Sequence, residues 1–561
     1  MTADVQHLRR TVCTFGRTAL SVAVLSMLLS GCDVEKSVTP AVKNTAPIPS
    51  IVEKNGRFAL MVDGAPYLIL GTQMNNWSNY PSMLPKVWPA VEKLGANTLI
   101  GPVAWEQIEP IEGKYDFSYV DTLITQARAH HVRLVLLWFG TWKNTSPSYA
   151  PDWVKGNNHR FPRIVDPKGN LTVSLSPHYQ ATLDADRKAF VKLMTHLKEV
   201  DSERTVIMVQ VENEPGVYRS VRDHAPAAQK LFDGPVPGEL VAGMHKKPGT
   251  WKQVFGKNAD EYFHAWHMAR FIEQVASAGH AVYPLPMFVN AALRDPIKYQ
   301  DPFNYASGGP TWNVIDIYKI AAPTLRIEAP DIYARDYRTF MAHIEGYARP
   351  DNPLFVPEIG SDAPYARYLF AVLGRHAIGF TPFGVDFTGF SNYPLGAKEV
   401  NDEIVDAFAA PYRLIGPMAR EWAKLSFEND VWGVSEPDDH KAQTLDLGPW
   451  NATVSYRMWQ FGLEAFYKGY DRPAGSDMPT GGALIARLGP DEFLVAGYRA
   501  RVDFSLNDPK SKKHVMFMRV EEGHYEHGKW VFDHVWNGDA TDWGLTFLAQ
   551  PQVLRVKLAT Y

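Results

Sequence analysis

The stretch Val206-Ile207-Met208-Val209-Gln210-Val211-Glu212-Asn213-Glu214-Pro215 contains an apolar strand that ends abruptly in polar residues and a proline. The apolar run is continuous rather than alternating, as burial on both faces of a parallel sheet demands. In parallel β/α folds, side chains at the carboxyl ends of the strands face the place where ligands bind. The stretch therefore predicts a buried parallel strand that presents Glu214 at its end.

Seven more short apolar runs surround this one along the chain, and helical patterns separate most of them. The eight predicted strands are 67–71, 97–100, 133–138, 206–211, 286–289, 331–333, 354–356 and 377–380. Helical periodicity marks residues 88–94, 119–130, 178–200 and 260–278. Eight β/α units over about 350 residues predict the α/β fold class, as a (β/α)8 TIM barrel with long loops.

The character of the chain changes from about Ser435. Strand patterns at 483–488, 492–496, 514–518 and 553–556 are separated by turn signals, without a strong helix. These patterns predict a small antiparallel β-sandwich packed on the barrel. The expected domains are a lipoprotein signal segment (1–32), a linker (33–50), the catalytic barrel (51–430) and a β-rich C-terminal domain (431–561).

The N-terminal segment has the features of a bacterial export signal. Arginines at positions 9, 10 and 17 precede a short apolar run, which ends in Leu29-Ser30-Gly31-Cys32. This ending resembles a lipobox, so Cys32 is the expected lipidation site and the first residue of the mature chain. We expect a cell-envelope lipoprotein, periplasmic-side or in the outer membrane, whose lipid anchor is its membrane partner.

Composition narrows the function classes. The formal net charge of −4 gives no electrostatic reason to expect nucleic acid as a partner. Both cysteines, Cys13 and Cys32, lie in the signal segment, so the remaining chain has no thiolate metal site or internal disulfide. We see no metal-ligand spacing and no phosphate loop, and we expect neither a metal nor another cofactor. Oligomeric state stays open.

Two carboxylates at strand ends suggest a chemistry. Glu214 follows the fourth strand, and Glu358 lies in Val356-Pro357-Glu358-Ile359-Gly360 at the end of the seventh. Glycoside hydrolysis needs two such groups: an acid that protonates the leaving oxygen and, in retaining enzymes, a nucleophile roughly 5–5.5 Å away. Glu212 neighbours this pair, and we expect strand alternation to turn it away from Glu214. Glu328 and Asp386 are competing carboxylates near strands six and eight.

A family resemblance follows from these residues. Asn213-Glu214-Pro215 and Glu358 resemble the motifs of retaining (β/α)8-barrel glycosidases. Residues 93–98, 103–110 and 112–117 are similar to the strand-two region of glycoside hydrolase families 35 and 42, both β-galactosidase families. The layout most resembles bacterial family 35 enzymes, some of which remove galactose from xyloglucan. One departure is that residues 138–144 carry no carboxylate where family 35 has an acidic residue.

The resemblance implies Glu214 as acid/base, Glu358 as nucleophile and a carbohydrate substrate, from which terminal β-D-galactosyl residues are removed. It also implies that Asn213 binds the sugar 2-hydroxyl and that Tyr333 bonds the nucleophile, although Tyr333 is equally well a packed core residue. Further candidate substrate-binding residues are Trp105, Trp138, Trp142, Gln73 and Asn75. Two alternatives remain open: a same-clan β-glycosidase or endo-glycanase of other specificity, and a non-catalytic carbohydrate-binding lipoprotein.

Overall fold

The computed structural model describes residues 46–457 and 478–561. The predicted signal segment, Cys32 and most of the predicted linker lie outside these residues. Within them, none of the helices combines the length and apolar character that a membrane span requires.

The fold begins with a small antiparallel sheet of β1 (Ser50–Lys54), β2 (Arg57–Val62) and β3 (Ala65–Tyr67). Ten further strands follow, and eight of them form a closed barrel. The next strands are β4 (Ile69–Gln73), β5 (Thr98–Ala104), β6 (Arg133–Lys143), β7 (Arg163–Val165), β8 (Leu171–Leu175), β9 (Val206–Asn213), β10 (Met287–Ala292), β11 (Leu325–Ile332), β12 (Phe355–Ile359) and β13 (Gly379–Pro382). All but β7 and β8, which pair as a hairpin, form a parallel barrel that closes between β13 and β4.

Every predicted barrel strand overlaps an observed one. The prediction is least accurate for β11, which begins at Leu325 although only residues 331–333 were expected. The strand was missed because three charged residues and a proline interrupt the apolar run of Leu325-Arg326-Ile327-Glu328-Ala329-Pro330-Asp331-Ile332. Glu328 is nevertheless fully buried and forms an ion pair with Lys319 behind the strand.

Side-chain alternation sorts the barrel residues into two layers. Along β6, Val135, Leu137 and Phe139 pack in the barrel interior, where Leu60 and Val62 of the N-terminal sheet join the same cluster. Leu134, Leu136 and Trp138 pack instead among the helices. The interior is therefore a filled core that supports the strand ends.

The helices surround the barrel or line its loops. They are α1 (Leu84–Leu94), α2 (Trp105–Ile108), α3 (Ser118–Ala129), α4 (Asp152–Lys155), α5 (Gln180–Val200), α6 (Pro226–Asp233), α7 (Gly238–Gly243), α8 (Trp251–Phe255), α9 (Ala259–Val282), α10 (Ile315–Ala321), α11 (Tyr337–Tyr347), α12 (Tyr368–Leu373), α13 (Asp402–Ile415) and α14 (Ala419–Glu428). The amphipathic pattern of α3, for example, buries Val120, Leu123, Ile124 and Ala127 as the sequence predicted.

Two antiparallel sheets form the C-terminal part. Its strands are β14 (Val431–Ser435), β15 (Gln443–Asp446), β16 (Trp450–Tyr456), β17 (Gly482–Gly489), β18 (Glu492–Tyr498), β19 (Ala500–Leu506), β20 (Val515–Glu526), β21 (Lys529–Trp536), β22 (Leu545–Phe547) and β23 (Gln552–Thr560). The sheets have the orders β14-β17-β18-β23-β20-β21 and β15-β16-β19-β22 and share one apolar core. The predicted barrel with a C-terminal β-sandwich is confirmed.

The sandwich is joined tightly to the barrel through α12 and β14. The Ser435 hydroxyl donates to the carbonyl of Arg367 (2.6 Å) and accepts the Ala371 N–H (3.0 Å). The backbones meet at two glycines: a Cβ on Gly433 would lie 2.2 Å from the Phe370 carbonyl oxygen, and one on Gly374 would lie 2.0 Å from the Gly433 nitrogen. Only residues without a side chain permit this approach.

Gly433→Ala is expected to lower the free energy of unfolding by about 1–3 kcal/mol, because the added methyl group forces the two backbones apart. The matched control is Gly416→Ala, where a Cβ would meet open space. Thermal unfolding of both variants measures the difference. Equal melting temperatures would contradict the close-contact account.

Candidate active site

Three carboxyl groups meet at the carboxyl ends of the barrel strands. Glu214 follows β9, Asp331 lies in β11 and Glu358 lies in β12. Parallel pairing of β11 with β12 sets Asp331 directly beside Glu358. One carboxyl oxygen from each of the three residues lies within 4.8 Å of the others.

An irregular backbone directs the first of these carboxyls. Both Glu212 (φ 64°) and Glu214 (φ 44°) have left-handed backbone angles, which are uncommon for residues with a side chain. Glu212 points away from Glu214, as expected, but the expected reason was wrong, since regular alternation places residues two apart on the same face. The left-handed angles break this alternation, and the Glu212 carboxylate accepts the Trp142 N–H (2.6 Å) instead.

Glu214 is held by its backbone and stays almost buried. Its N–H donates to Asn290 Oδ1 (2.9 Å), and its carbonyl accepts the Thr145 N–H (3.0 Å). Burial is the main cause that raises the pKa of the Glu214 carboxyl to about 7; Lys143 opposes this shift, and the negative charge of Glu358 adds to it. Glu214 therefore keeps its proton in a large fraction of molecules near pH 7.

Glu358 accepts hydrogen bonds on both carboxylate oxygens. The Tyr333 hydroxyl donates to Oε1, and Gln73 Nε2 donates to Oε2 at 3.1 Å. Burial raises the pKa of Tyr333 well above its usual value, and the adjacent Glu358 charge adds to this, so the hydroxyl keeps its proton as a donor. These two donors fix the orientation of the Glu358 carboxyl group.

Asp331 is the third carboxyl, and sequence reasoning did not single it out. Asn290 links it to Glu214, because its Nδ2 donates to Asp331 Oδ2 (2.5 Å) while its Oδ1 accepts the Glu214 N–H. Burial and the nearby charges of Glu358 and Glu214 raise the pKa of Asp331 well above its usual value. Asp331 and Asn290 both follow the rule that identified Glu214, since each is a polar residue near the end of a barrel strand.

The three carboxyls open into a cavity of about 520 Å³, the carboxylate pocket, which lies in the size range of small-molecule sites. Besides the carboxyls, its walls include Lys143, Asn144, Tyr218, Tyr333, Phe390 and Asn392. Lys143 occupies the segment where family 35 has an acidic residue, and its ammonium donates to Asn144 Oδ1. The sequence departure thus places a positive charge in the pocket.

The three tryptophans expected to stack on sugar do not line the carboxylate pocket. Each is fully buried, and each indole N–H is bonded elsewhere: that of Trp105 to Glu109 (3.0 Å), that of Trp138 to Asp186 (2.8 Å) and that of Trp142 to the Leu175 carbonyl (3.1 Å). For Trp138 the reason is strand alternation, which turns its side chain toward the helices. The expectation that these three tryptophans stack on sugar in this pocket was therefore wrong.

The remaining four candidates have three different environments. Gln73 and Tyr333 contact Glu358, as described. Asn75 is tied to Asp386, whose carboxylate also accepts the Ser78 hydroxyl, so this competing carboxylate holds the loop after β4. Asn213 is buried beside Glu214, and neither of its side-chain amide atoms has a partner among the described residues.

The three carboxyls are also the one group of described residues whose spacing suits a cation. Their oxygens, however, already receive donors: Tyr333 and Gln73 on Glu358, and Asn290 on Asp331. A hard divalent cation takes six or more oxygen ligands, and this set of donors and the nearby lysine compete with it. The arrangement suits proton transfer better than metal binding.

Comparisons with known proteins give matches over parts of the chain. The model of glycoside hydrolase family 42, described as Beta-galactosidase, matches residues 75–276, and a model described as Domain of unknown function (DUF5597) matches residues 408–548. Over residues 75–276 the chain is therefore similar to family 42, one of the two families that its sequence resembles. The family 42 match includes Glu214 but ends before Asp331 and Glu358.

Similar individual proteins carry the same description. A beta-galactosidase from Xanthomonas manihotis is 30% identical over 230 residues, which cover 35% of this chain and 35% of that protein. A beta-galactosidase from Arthrobacter sp is 22% identical, over 63% of this chain and 57% of that protein. The crystal structure of beta-galactosidase from Bacillus circulans sp. alkalophilus has a TM-score of 0.47 and 13% identity, over 64% of this chain and 57% of the other. The chain thus spans only about a third to just over half of these proteins.

Lys143→Met is expected to raise the pKa of the Glu214 carboxyl above about 7, because it removes the nearby positive charge that opposes the shift. The measurement is ¹³C NMR titration of glutamate carboxyls, with the Glu214 signal assigned through Glu214→Gln. Lys168→Met, on the exposed turn of the β7–β8 hairpin, is the control and should leave this pKa unchanged. An unchanged or lowered pKa in Lys143→Met would contradict the assigned electrostatics.

Proposed function

We propose that this protein is a retaining exo-glycosidase that removes terminal β-D-galactosyl residues from an oligo- or polysaccharide. The observation that carries the proposal is the approach of the Glu214 and Glu358 carboxyl oxygens to within 4.8 Å. Retaining glycosidases place the two carboxyls roughly 5–5.5 Å apart, whereas inverting enzymes leave about 6.5–9.5 Å for a water molecule. The short separation favours direct attack by one carboxylate.

The electrostatics support one assignment of the two roles. Glu214, whose pKa is raised to about 7, protonates the leaving oxygen, and Glu358, with donors on both oxygens, attacks the anomeric carbon. The bond from the anomeric carbon to the leaving oxygen breaks as the glycosyl–Glu358 ester forms. Loss of the Glu358 charge then lowers the pKa of Glu214, so Glu214 accepts a proton from the water that cleaves the ester.

The donors around the pair have distinct parts in this mechanism. Tyr333 and Gln73 hold the nucleophile in place, and Asn290 holds the backbone of Glu214. The unpartnered amide of Asn213 remains the candidate for binding the sugar 2-hydroxyl. No step in the mechanism requires a metal or another cofactor, so a chelator should leave the activity unchanged.

Several finer features belong to the same proposal. The similarity to β-galactosidases supports galactose as the sugar, while the family 35 assignment and a xyloglucan side chain as the natural substrate rest on sequence resemblance alone. Lipidation at Cys32 and a cell-envelope location rest on the lipobox-like motif.

Glu358→Gln is expected to lower kcat for aryl β-galactosides by at least about 10⁴-fold, because an amide cannot form the glycosyl ester. The assay is a panel of aryl β-glycosides with the chain from about residue 50 onward. Glu112→Gln, an exposed carboxylate paired with Arg160, is the control and should keep full activity. Hydrolysis of a different aryl β-glycoside would change the proposed sugar specificity but not the mechanism. Full activity in Glu358→Gln would overturn the mechanism.

The value of kcat/KM for a substrate with a poor leaving group is expected to fall as the pH rises through about 7. The reason is that Glu214 acts in its protonated form, whose fraction decreases above its pKa. An aryl glycoside whose leaving group needs no protonation should lack this decrease. The same decrease for both substrates would show that another group causes it.

A further inference from the structure

A second cavity of about 480 Å³, the hairpin groove, lies beside the carboxylate pocket. Asn144 and Tyr218 line both cavities, so the two are adjacent. The rest of the groove is formed by the β7–β8 hairpin, including Asp166 and Thr172, and by Thr145 and Arg219. None of these hairpin residues takes part in the proposed mechanism.

The groove lies on the side of the carboxylate pocket where Glu214, the proposed acid, is located. The Thr145 N–H donates to the Glu214 carbonyl (3.0 Å), and the Asn144 N–H donates to the Asn213 carbonyl (3.2 Å). Tyr218 follows Glu214 by four residues. In a retaining glycosidase the acid protonates the oxygen of the leaving portion, so that portion extends past the acid.

The hairpin is fixed to the loop that follows Glu214. The fully buried Asp223 of this loop accepts the Val165 N–H (3.0 Å) and the Ser176 hydroxyl (2.5 Å), at the two ends of the hairpin. In return, the His224 N–H donates to the Val165 carbonyl (2.9 Å). The groove is thus a preformed feature whose position relative to Glu214 is set by the backbone.

The lining has the chemistry that recognises a sugar. The hairpin exposes two apolar side chains to solvent, Leu171 (58% exposed) and Val173 (57% exposed). Tyr218 adds a partly exposed aromatic ring, and Asp166 and Arg219 add polar groups to the lining. Apolar surface combined with a few placed polar groups is typical of sites that orient a small ligand.

We propose that the hairpin groove binds sugar residues of the leaving portion, so that the substrate is an oligosaccharide or a polysaccharide branch rather than a simple galactoside. This inference rests on the proposed function, because it takes Glu214 as the acid. Binding energy from the groove acts while the glycosidic bond breaks, and it therefore increases kcat/KM for longer substrates.

The test compares a disaccharide with a tetrasaccharide that share the terminal β-galactosyl residue and its linkage, or the corresponding pair if the aryl-glycoside panel identifies another sugar. The ratio of kcat/KM, tetrasaccharide over disaccharide, should be at least about tenfold for the unmodified chain. The double variant Leu171→Ser/Val173→Ser should bring this ratio close to one. Leu231→Ser, an exposed apolar residue on α6, is the matched control and should keep the ratio.

A binding measurement keeps the test independent of turnover. In the Glu358→Gln background, calorimetry should show tighter binding of the tetrasaccharide than of the disaccharide, and the double variant should remove this difference. A chain-length ratio near one in the unmodified chain, or a ratio that survives the double variant, would overturn the groove assignment. Failure to hydrolyse any glycoside would instead overturn the proposed function.

Discussion

Repulsion among three buried carboxyl groups is the constraint on which the site depends. Two unit charges 4 Å apart in a protein interact with an energy on the order of 4 kcal/mol, so Glu214, Asp331 and Glu358 cannot all ionise cheaply. Burial raises the pKa values of Glu214 and Asp331, and the repulsion adds to this effect, so protons stay on some of these groups. A site with one protonated and one charged carboxyl is what acid-assisted nucleophilic attack needs.

The rest of the fold maintains this arrangement. Strand register places Asp331 beside Glu358, and left-handed backbone angles redirect the side chains of Glu212 and Glu214. Such angles cost free energy and persist only where the surrounding structure enforces them. Here the enforcing contacts include the Asn290 bridge and the hydrogen bonds from residues 144 and 145, which also form the start of the hairpin groove.

The sequence predicted the barrel because its signal is repeated eight times, and it predicted Glu214 and Glu358 because both end such strands. It could not predict which way a side chain turns when the strand is irregular. Glu212 shows this, since its orientation relative to Glu214 depends on the left-handed backbone angles of both residues. The prediction that Trp138 contacts sugar was wrong for a related reason. Its strand turns the side chain toward the helices, and the sequence alone does not show which face of the strand lies inside the barrel.

Other parts were hidden by mixed composition. The strand that carries Asp331 contains charged residues and a proline, so its start was missed, and Asp331 was taken as part of a short strand. In the sandwich, β14, β15, β16, β19, β21 and β22 escaped prediction because these strands are short or their apolar residues alternate with polar ones. The contact of Gly433 with α12 is a long-range feature that no local pattern reveals.

The central claim is that Glu358 forms a covalent bond to the sugar. It is tested most directly by treating the protein with 2-deoxy-2-fluoro-β-D-galactosyl fluoride, or the analogue of the sugar that is hydrolysed, and mapping the labelled peptide by mass spectrometry. The account predicts one fluoroglycosyl group on Glu358, with a parallel loss of activity. A label on Asp331 or Glu214, or hydrolysis that proceeds with inversion and without any label, would contradict it.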